Sequence, residues 1–179
     1  VRVISGLYKG RNLKGFDIEG TRPTMDRVKE SIFSSIQSYV DEAVCLDLFS
    51  GSGNLGIEAL SNGASSCYFV DINKKAVNTI KENIDMLNIT NYIVMNSDYK
   101  DALNHFKDNN IKFDLIFLDP PYKLNVIDSI VNFIIDNDLI NDKGLIICEF
   151  DSEIKKEYEK LTIFKEKKYG SKYVVIFKK

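Results

Sequence analysis

At 179 residues, with 44% hydrophobic and 28% charged side chains, the chain can bury the core of one domain without disulfide staples. No apolar run approaches the ~18–20 residues of a bilayer span, which excludes a helical membrane protein and makes a cytoplasmic placement the expectation. The net charge of −2 hides a gradient, with seven Lys/Arg against four Asp/Glu in residues 1–30, eight against seventeen in 31–150, and nine against five in 151–179. All four arginines, Arg2, Arg11, Arg22 and Arg27, lie in the first of these segments. Basic ends around an acidic middle suit a polyanion held by the termini near a pocket for something cationic or amine-bearing. Solvated lysines explain the tail equally well. Cys45, Cys67 and Cys148 are odd in number and each sits in an apolar run, as buried, reduced thiols do.

In chain order, Val1-Arg2-Val3-Ile4-Ser5-Gly6 reads as a strand rather than a leader. Residues 2–5 and 11–14 flank Tyr8-Lys9-Gly10, which predicts a small basic β-hairpin. Residues 1–20 are therefore taken as an N-terminal extension of the main domain, 21–179, the two forming one compact unit. A helix follows, with Thr24 as its N-cap and Asp26 in its first turn. Val28, Ile32, Ile36 and Val40 form its apolar stripe. Arg22 and Arg27 stand at its start, where cations are mildly disfavoured, and an anionic partner explains them better than stability does.

From Ala43 strands and helices alternate. Strands are predicted at 43–48, 66–70 ending at Asp71, 92–95 ending near Asp98, 113–118 and 144–148. Helices fall between them at 54–62, along Ala76, Val77, Ile80, Ile84 and Leu87, at 101–108, and along Ile127, Ile130, Val131, Ile134 and Ile135. Ile154, Tyr158 and Leu161 suggest a short helix. Residues 162–168 and 172–177 read as a closing hairpin turned by Gly170-Ser171. The pattern predicts an α/β fold, Rossmann-like, with a mostly parallel sheet of about seven strands and helices on both faces.

Two motifs carry chemistry. Asp119-Pro120-Pro121-Tyr122 ends a strand, since neither proline can donate to a ladder. It leaves a carboxylate, a carbonyl and an aromatic ring in a stiff loop at the carboxyl edge, where open α/β sheets bind ligands. Two acceptors beside a π-face suit a flat group bearing an NH2. Gly51, Gly53 and Gly56 form G-x-G-x-x-G, with Asp71 twenty residues after Gly51. That is also the dinucleotide fingerprint. Asp47, at the preceding strand end, would repel a pyrophosphate and welcome a cationic amino-acid tail. Asp47, Asp71, Asp98 and Asp119 stand at successive strand ends, one each available for an ammonium, a ribose, an adenine amine and an acceptor base.

Residues 47–60, Asp71, Asp98 and 119–122 resemble the ordered motifs of class I S-adenosylmethionine-dependent methyltransferases. More narrowly, residues 2–10, the stretch Arg22-Pro23-Thr24-Met25-Asp26-Arg27-Val28-Lys29-Glu30, residues 48–53 and Lys167-Lys168-Tyr169-Gly170 resemble the bacterial 16S ribosomal RNA guanine-N2 methyltransferases of the methyltransferase D type. Ser50 stands where alanine is more common and Met25 where threonine is. The resemblance implies methyl transfer from S-adenosylmethionine, without a metal, to 16S RNA in a small ribosomal subunit or assembly intermediate, by a monomer. It implies Asp119, Pro120 and Tyr122 as catalytic residues. Asp47, Ser50, Gly51, Gly53, Asn54, Asp71, Ile72, Asp98 and Tyr99 would hold the cofactor, and Arg2, Arg11, Arg22 and Arg27 the RNA. An ordinary carboxylate pKa at Asp119 would suffice.

Other residues have plainer readings. His105 is the only histidine and belongs on a surface. Asp114 is structural, and Phe16, Phe33 and Tyr39 are core. The competing functions are a DNA adenine or cytosine or protein glutamine methyltransferase, an NAD-dependent oxidoreductase, and a catalytically silent RNA-binding module.

Overall fold

The computed structural model describes residues 1–15, 23–121 and 124–179. Arg22, Tyr122 and Phe16, and the expected boundary between residues 20 and 21, lie outside them. Helix α1 (Pro23–Ser35) is followed by a single helical turn, α2 (Gln37–Val40). The alternation then runs β1 (Val44–Asp47), α3 (Asn54–Ser61), β2 (Ser66–Asp71), α4 (Lys74–Met86), β3 (Tyr92–Asn96), α5 (Tyr99–Asp108), β4 (Phe113–Leu118), α6 (Ile127–Asp136) and β5 (Ile140–Phe150). An antiparallel pair, β6 (Thr162–Tyr169) and β7 (Lys172–Lys178), closes it.

These strands form one seven-stranded sheet in the order β3-β2-β1-β4-β5-β7-β6. β1 to β5 are mutually parallel, and β7 runs against β5. The chain builds outward from β1 to β3, then returns to lay β4 on the other side of β1. That reversal opens a crevice at the carboxyl ends of β1 and β4, where ligands settle in doubly wound sheets. Both faces are covered, so the central strands are apolar throughout rather than alternating. Val28, Ile32, Ile36, Val40, Ile57 and Ile80 pack on one face, and Leu103, Phe106, Ile130 and Ile134 on the other. The three cysteines are free and buried.

Several expectations are corrected. Helix α1 starts at Pro23, so Thr24 lies inside it and is not the cap; a proline's fixed φ suits a first helical position. The expected amino-terminal hairpin is present but irregular, holding one antiparallel bridge, Arg2 with Asn12, and N–H bonds from Val3 to the Arg11 carbonyl, Gly10 to Val3 and Leu13 to Val1 at 2.8–2.9 Å. β5 is longer than its apolar run and starts at Ile140. Residues 151–161 contain no helix. β6 runs parallel to β5, so this segment must return along the sheet and pass over β7. Eleven helical residues would rise only ~16 Å, whereas an extended chain covers about twice that. Tyr158 still anchors the segment, donating to Asp128 at 2.8 Å and packing edge-on to Phe177.

Candidate active site

A cavity of about 990 Å³ opens over the carboxyl ends of β1, β2, β4 and β5. Its floor is the glycine loop between β1 and α3. Gly53 has φ +83, a left-handed conformation that side chains resist. A Cβ on Gly56 would stand 2.3 Å from the Phe69 ring and 2.7 Å from Cys67 Sγ, so this glycine lets α3 press onto β2. Ser50 ties the loop to its strands, donating to the Asp47 carbonyl at 2.6 Å and accepting from Val70 N–H at 3.1 Å.

The loop's glycine N–H groups are already committed. Gly51 donates to Asp71 Oδ2 at 2.9 Å, Gly53 to the Ser50 carbonyl at 2.8 Å, and Gly56 to Asp47 Oδ2 at 3.0 Å. A phosphate cradle needs such donors turned outward. Here they turn inward, two onto carboxylates and one onto a backbone carbonyl. The sequence could not separate a dinucleotide from S-adenosylmethionine at this loop, and the hydrogen bonding favours the latter.

Asp47 is buried at the end of β1. Desolvation pushes its pKa up to about 7, with Asp71 and Glu149 adding to the rise and the Gly56 N–H opposing it. A carboxylate held this way gains most from an arriving cation, so the donor set fits the ammonium of S-adenosylmethionine. Asp71 receives N–H bonds from Gly51 and from Asn73. Asp98 caps α5, accepting from Lys100 N–H at 2.7 Å. Each carboxylate retains lone pairs for a ligand. Ile72 (70% exposed) and Tyr99, the latter tilted against Phe49 at 5.4 Å, give the wall an apolar surface. Asn54 lines the cavity, but its amide oxygen accepts from Lys29 Nζ at 2.6 Å.

Asp119 stands one residue past β4, and Pro120 behind it is buried. The Pro121 carbonyl accepts from Leu124 N–H at 3.0 Å. The β4–β5 register pairs Leu118 with Cys148, so Asp119 falls level with Glu149. Burial raises the Asp119 pKa, as does the Glu149 carboxylate, while Lys172 opposes them. The expectation of an ordinary carboxylate pKa is therefore corrected in direction. A third of this side chain still meets solvent, which tempers the rise. Lys172 Nζ lies 2.7 Å from Glu149 and 3.9 Å from Asp119.

Sequence reasoning does not single out Glu149 and Lys172 as site residues. An acid at the end of each strand is the available signal, and Glu149 continues it to β5. Lys172 reads as one of the tail's surface lysines; its side chain is instead 20% exposed and lines the cavity.

Arg2, Arg11 and Arg27 stand away from this centre. Among the described residues no arginine lines the cavity. Arg2, Arg11 and Arg27 are exposed, and Arg11 donates to the Met86 carbonyl at the end of α4, at 3.3 Å. What fixes the amino-terminal segment is a buried pair that sequence reasoning misses. Lys29 on α1 and Glu58 on α3 lie 3.0 Å apart, 2% and 0% exposed. Glu58 also accepts from the Ile4 and Ser5 N–H groups at 2.9 Å, and Lys29 donates to the Arg2 carbonyl at 2.6 Å. Burial lowers the Lys29 pKa despite Glu58. His105 is exposed on α5, beside Asn109. Asp114 joins strands through the Val44 N–H at 2.9 Å, and Phe33 is core.

A family profile described as "Conserved hypothetical protein 95" matches residues 1–178. The Bacillus subtilis protein "Putative rRNA methyltransferase YlbH" is 42% identical over 182 residues, spanning 100% of this chain and 99% of its own. The Haemophilus influenzae "Ribosomal RNA small subunit methyltransferase D" is 36% identical, over 95% of this chain and 89% of its own. A solved Escherichia coli structure, "Putative methyltransferase yhhF", superposes with a TM-score of 0.89 at 29% identity, covering 100% and 97% of the two chains.

Proposed function

Since the chain belongs to the family described as Conserved hypothetical protein 95 and has small-subunit ribosomal RNA methyltransferases among its relatives, we propose that it methylates the exocyclic N2 amine of a guanine in 16S ribosomal RNA, with S-adenosylmethionine as methyl donor. The observation that carries this reading is the carboxylate of Asp119, with the backbone of Pro120, lining one cavity with Asp47, Asp71, Asp98 and Glu149. Asp47, the loop of Ser50, Gly51 and Gly53, and Asp71 would hold the donor's amino-acid and ribose parts. Ile72, Asp98 and Tyr99 would hold its adenine.

When bound, the donor would supply an electrophilic methyl group, with its sulfonium sulfur as the leaving group. The residues of this chain do the rest. The N2 lone pair is delocalised into the purine ring and is a poor nucleophile. Asp119 and the Pro120 carbonyl accept its two N–H bonds and turn that lone pair toward the methyl group. Holding the partners in line can supply roughly 7–11 kcal/mol of the barrier. Alkylated nitrogen then sheds one proton to Asp119, whose raised pKa suits it to take the proton and pass it to solvent. Tyr122 is assigned to stack on the base. The base must leave its stack, at about a few kcal/mol.

The test is nucleoside analysis of 16S RNA from cells with and without this chain. One N2-methylguanosine should vanish with it and return on complementation. An unchanged nucleoside profile refutes the reading.

A further inference from the structure

We propose that Lys172, held by Glu149, is the residue that reads guanine, by donating to O6 of the base whose N2 amine lies at Asp119. The inference rests on the methyltransferase reading above and deepens it. The face that a flipped guanine presents carries two donors, N2–H and N1–H, beside an acceptor, O6. Adenine and cytosine instead place a ring acceptor directly beside their amine. A site that takes guanine must therefore offer acceptors and then a donor, in that order.

Asp119, Glu149 and Lys172 provide that set. Asp119 can span N2–H and N1–H with its two oxygens while the Pro120 carbonyl takes the second N2–H. The Lys172 ammonium carries three donor hydrogens and lies 3.9 Å from Asp119, an ion-pair distance. It is 2.7 Å from Glu149, which holds it. Glu149 is level with Asp119 on the neighbouring strand, and β7 brings Lys172 across from the other side of β5. Both side chains line the same cavity as Asp119. Glu149 is thus a positioning residue, and Lys172 a specificity residue. A plainer role is open to the pair: Lys172 would only neutralise two adjacent carboxylates. The two roles separate by experiment. A site built to hydrogen-bond a substrate atom strongly rejects an analogue lacking it, whereas simple neutralisation discriminates nothing.

Small subunits are assembled on 16S RNA ligated to carry guanine or 2,6-diaminopurine at the methylated nucleotide, located by mass spectrometry of 16S RNA fragments from cells with and without this chain. Diaminopurine keeps the N2 amine but replaces O6 by an amine and N1–H by an acceptor. The parent protein should prefer guanine in kcat/KM by roughly tenfold to a hundredfold, the usual worth of a charged hydrogen bond. Lys172→Met should bring that ratio down by about tenfold, and Lys172→Arg should keep it. The same ordering should appear in dissociation constants measured with S-adenosylhomocysteine bound. A retained thermal shift with that ligand shows that each variant is folded. Should Lys172→Met lower both substrates in step and leave the ratio intact, the neutralising role is correct and the inference is overturned. If the parent methylates no guanine, the functional reading falls first and this inference with it.

Discussion

Replacing Glu58 by alanine should destabilise this protein more than replacing Asp119 or Lys172 does. The substitution removes an acceptor for the Ile4 and Ser5 N–H groups and the Ser5 hydroxyl, at 2.8–2.9 Å. It also strands the ammonium of Lys29, which is 2% exposed and would keep the Arg2 carbonyl and the Asn54 amide oxygen as its acceptors. Leaving one half of a buried ion pair costs about 3–5 kcal/mol. At this chain length that lowers Tm by roughly 6–20 °C. Lys29→Met combined with Glu58→Leu removes both charges and leaves mainly the two backbone donors unsatisfied, about 1–3 kcal/mol each, a cost that Glu58→Ala carries as well. The double variant should therefore be more stable than Glu58→Ala alone. Urea denaturation of the parent, both single variants and the double gives the coupling directly. Glu58→Ala within about 1 kcal/mol of the parent, or losses that simply add, would refute the buried-pair argument. Because Glu58 holds residues 4 and 5, partial loss should also weaken RNA binding through Arg2 and Arg11 before it weakens binding of S-adenosylhomocysteine.

Asp47, raised to about 7 by burial and by its acidic neighbours, gives a pH signature. Its unfolded value is about 4, so in the cofactor-free protein its contribution to stability falls as pH climbs from there through about 7. A bound ammonium reverses that cost, so affinity for S-adenosylhomocysteine should increase between about pH 5.5 and 8, and calorimetry on Asp47→Asn should show a flat dependence; an equally steep slope in the variant rules the assignment out. Asp119→Ala should keep the thermal shift with S-adenosylhomocysteine and lose most single-turnover methylation, since amine orientation acts chiefly in the transition state; full turnover would remove Asp119 from the mechanism. The acidic limb of the parent's rate profile should lie above the ordinary carboxylate range and move down in Glu149→Gln, which deletes a like charge beside Asp119; an upward move contradicts the cause given. Changing Arg2, Arg11, Arg22 and Arg27 together to Gln should raise the Kd for RNA and flatten its salt dependence, because fewer counterions are released. Parent-like binding across a salt series would shift the RNA surface to Lys165, Lys167 and Lys168.

The sheet is legible in the sequence because its strands are buried on both faces. Runs such as Phe113 to Leu118 are apolar throughout, and the glycines, prolines and aspartates that end them mark the edge where the site lies. Residues 151–161 mislead for a definite reason. Ile154, Tyr158 and Leu161 have helical spacing, but spacing carries no information about the distance a connection must cover. Nor do buried charges announce themselves. Lys29 and Lys172 look in the sequence like any other lysines, and only contacts 29 and 23 residues away, to Glu58 and Glu149, withdraw them from water. Glu149 is within reach of sequence reasoning, since it stands one residue before the end of its strand, as Asp47 and Asp71 stand at the ends of theirs.

An edge carrying Asp47, Asp71, Asp98, Asp119 and Glu149 repels the phosphates of any RNA that approaches it. Lys29 and Lys172 are the lysines and arginines lining the cavity among the described residues, and both lean on glutamates. Backbone contacts must therefore be made elsewhere, and the basic first segment and the lysine-bearing edge strand β6 are the surfaces with the charge for it. Only a neutral base and a cationic donor lose nothing by entering between the carboxylates. The same field that excludes a pyrophosphate from the glycine loop thus requires the nucleotide to be extruded, with its phosphates left on the rim. Rising salt should then weaken capture of the RNA while leaving the chemical step, measured in single turnover at saturating RNA, nearly unchanged.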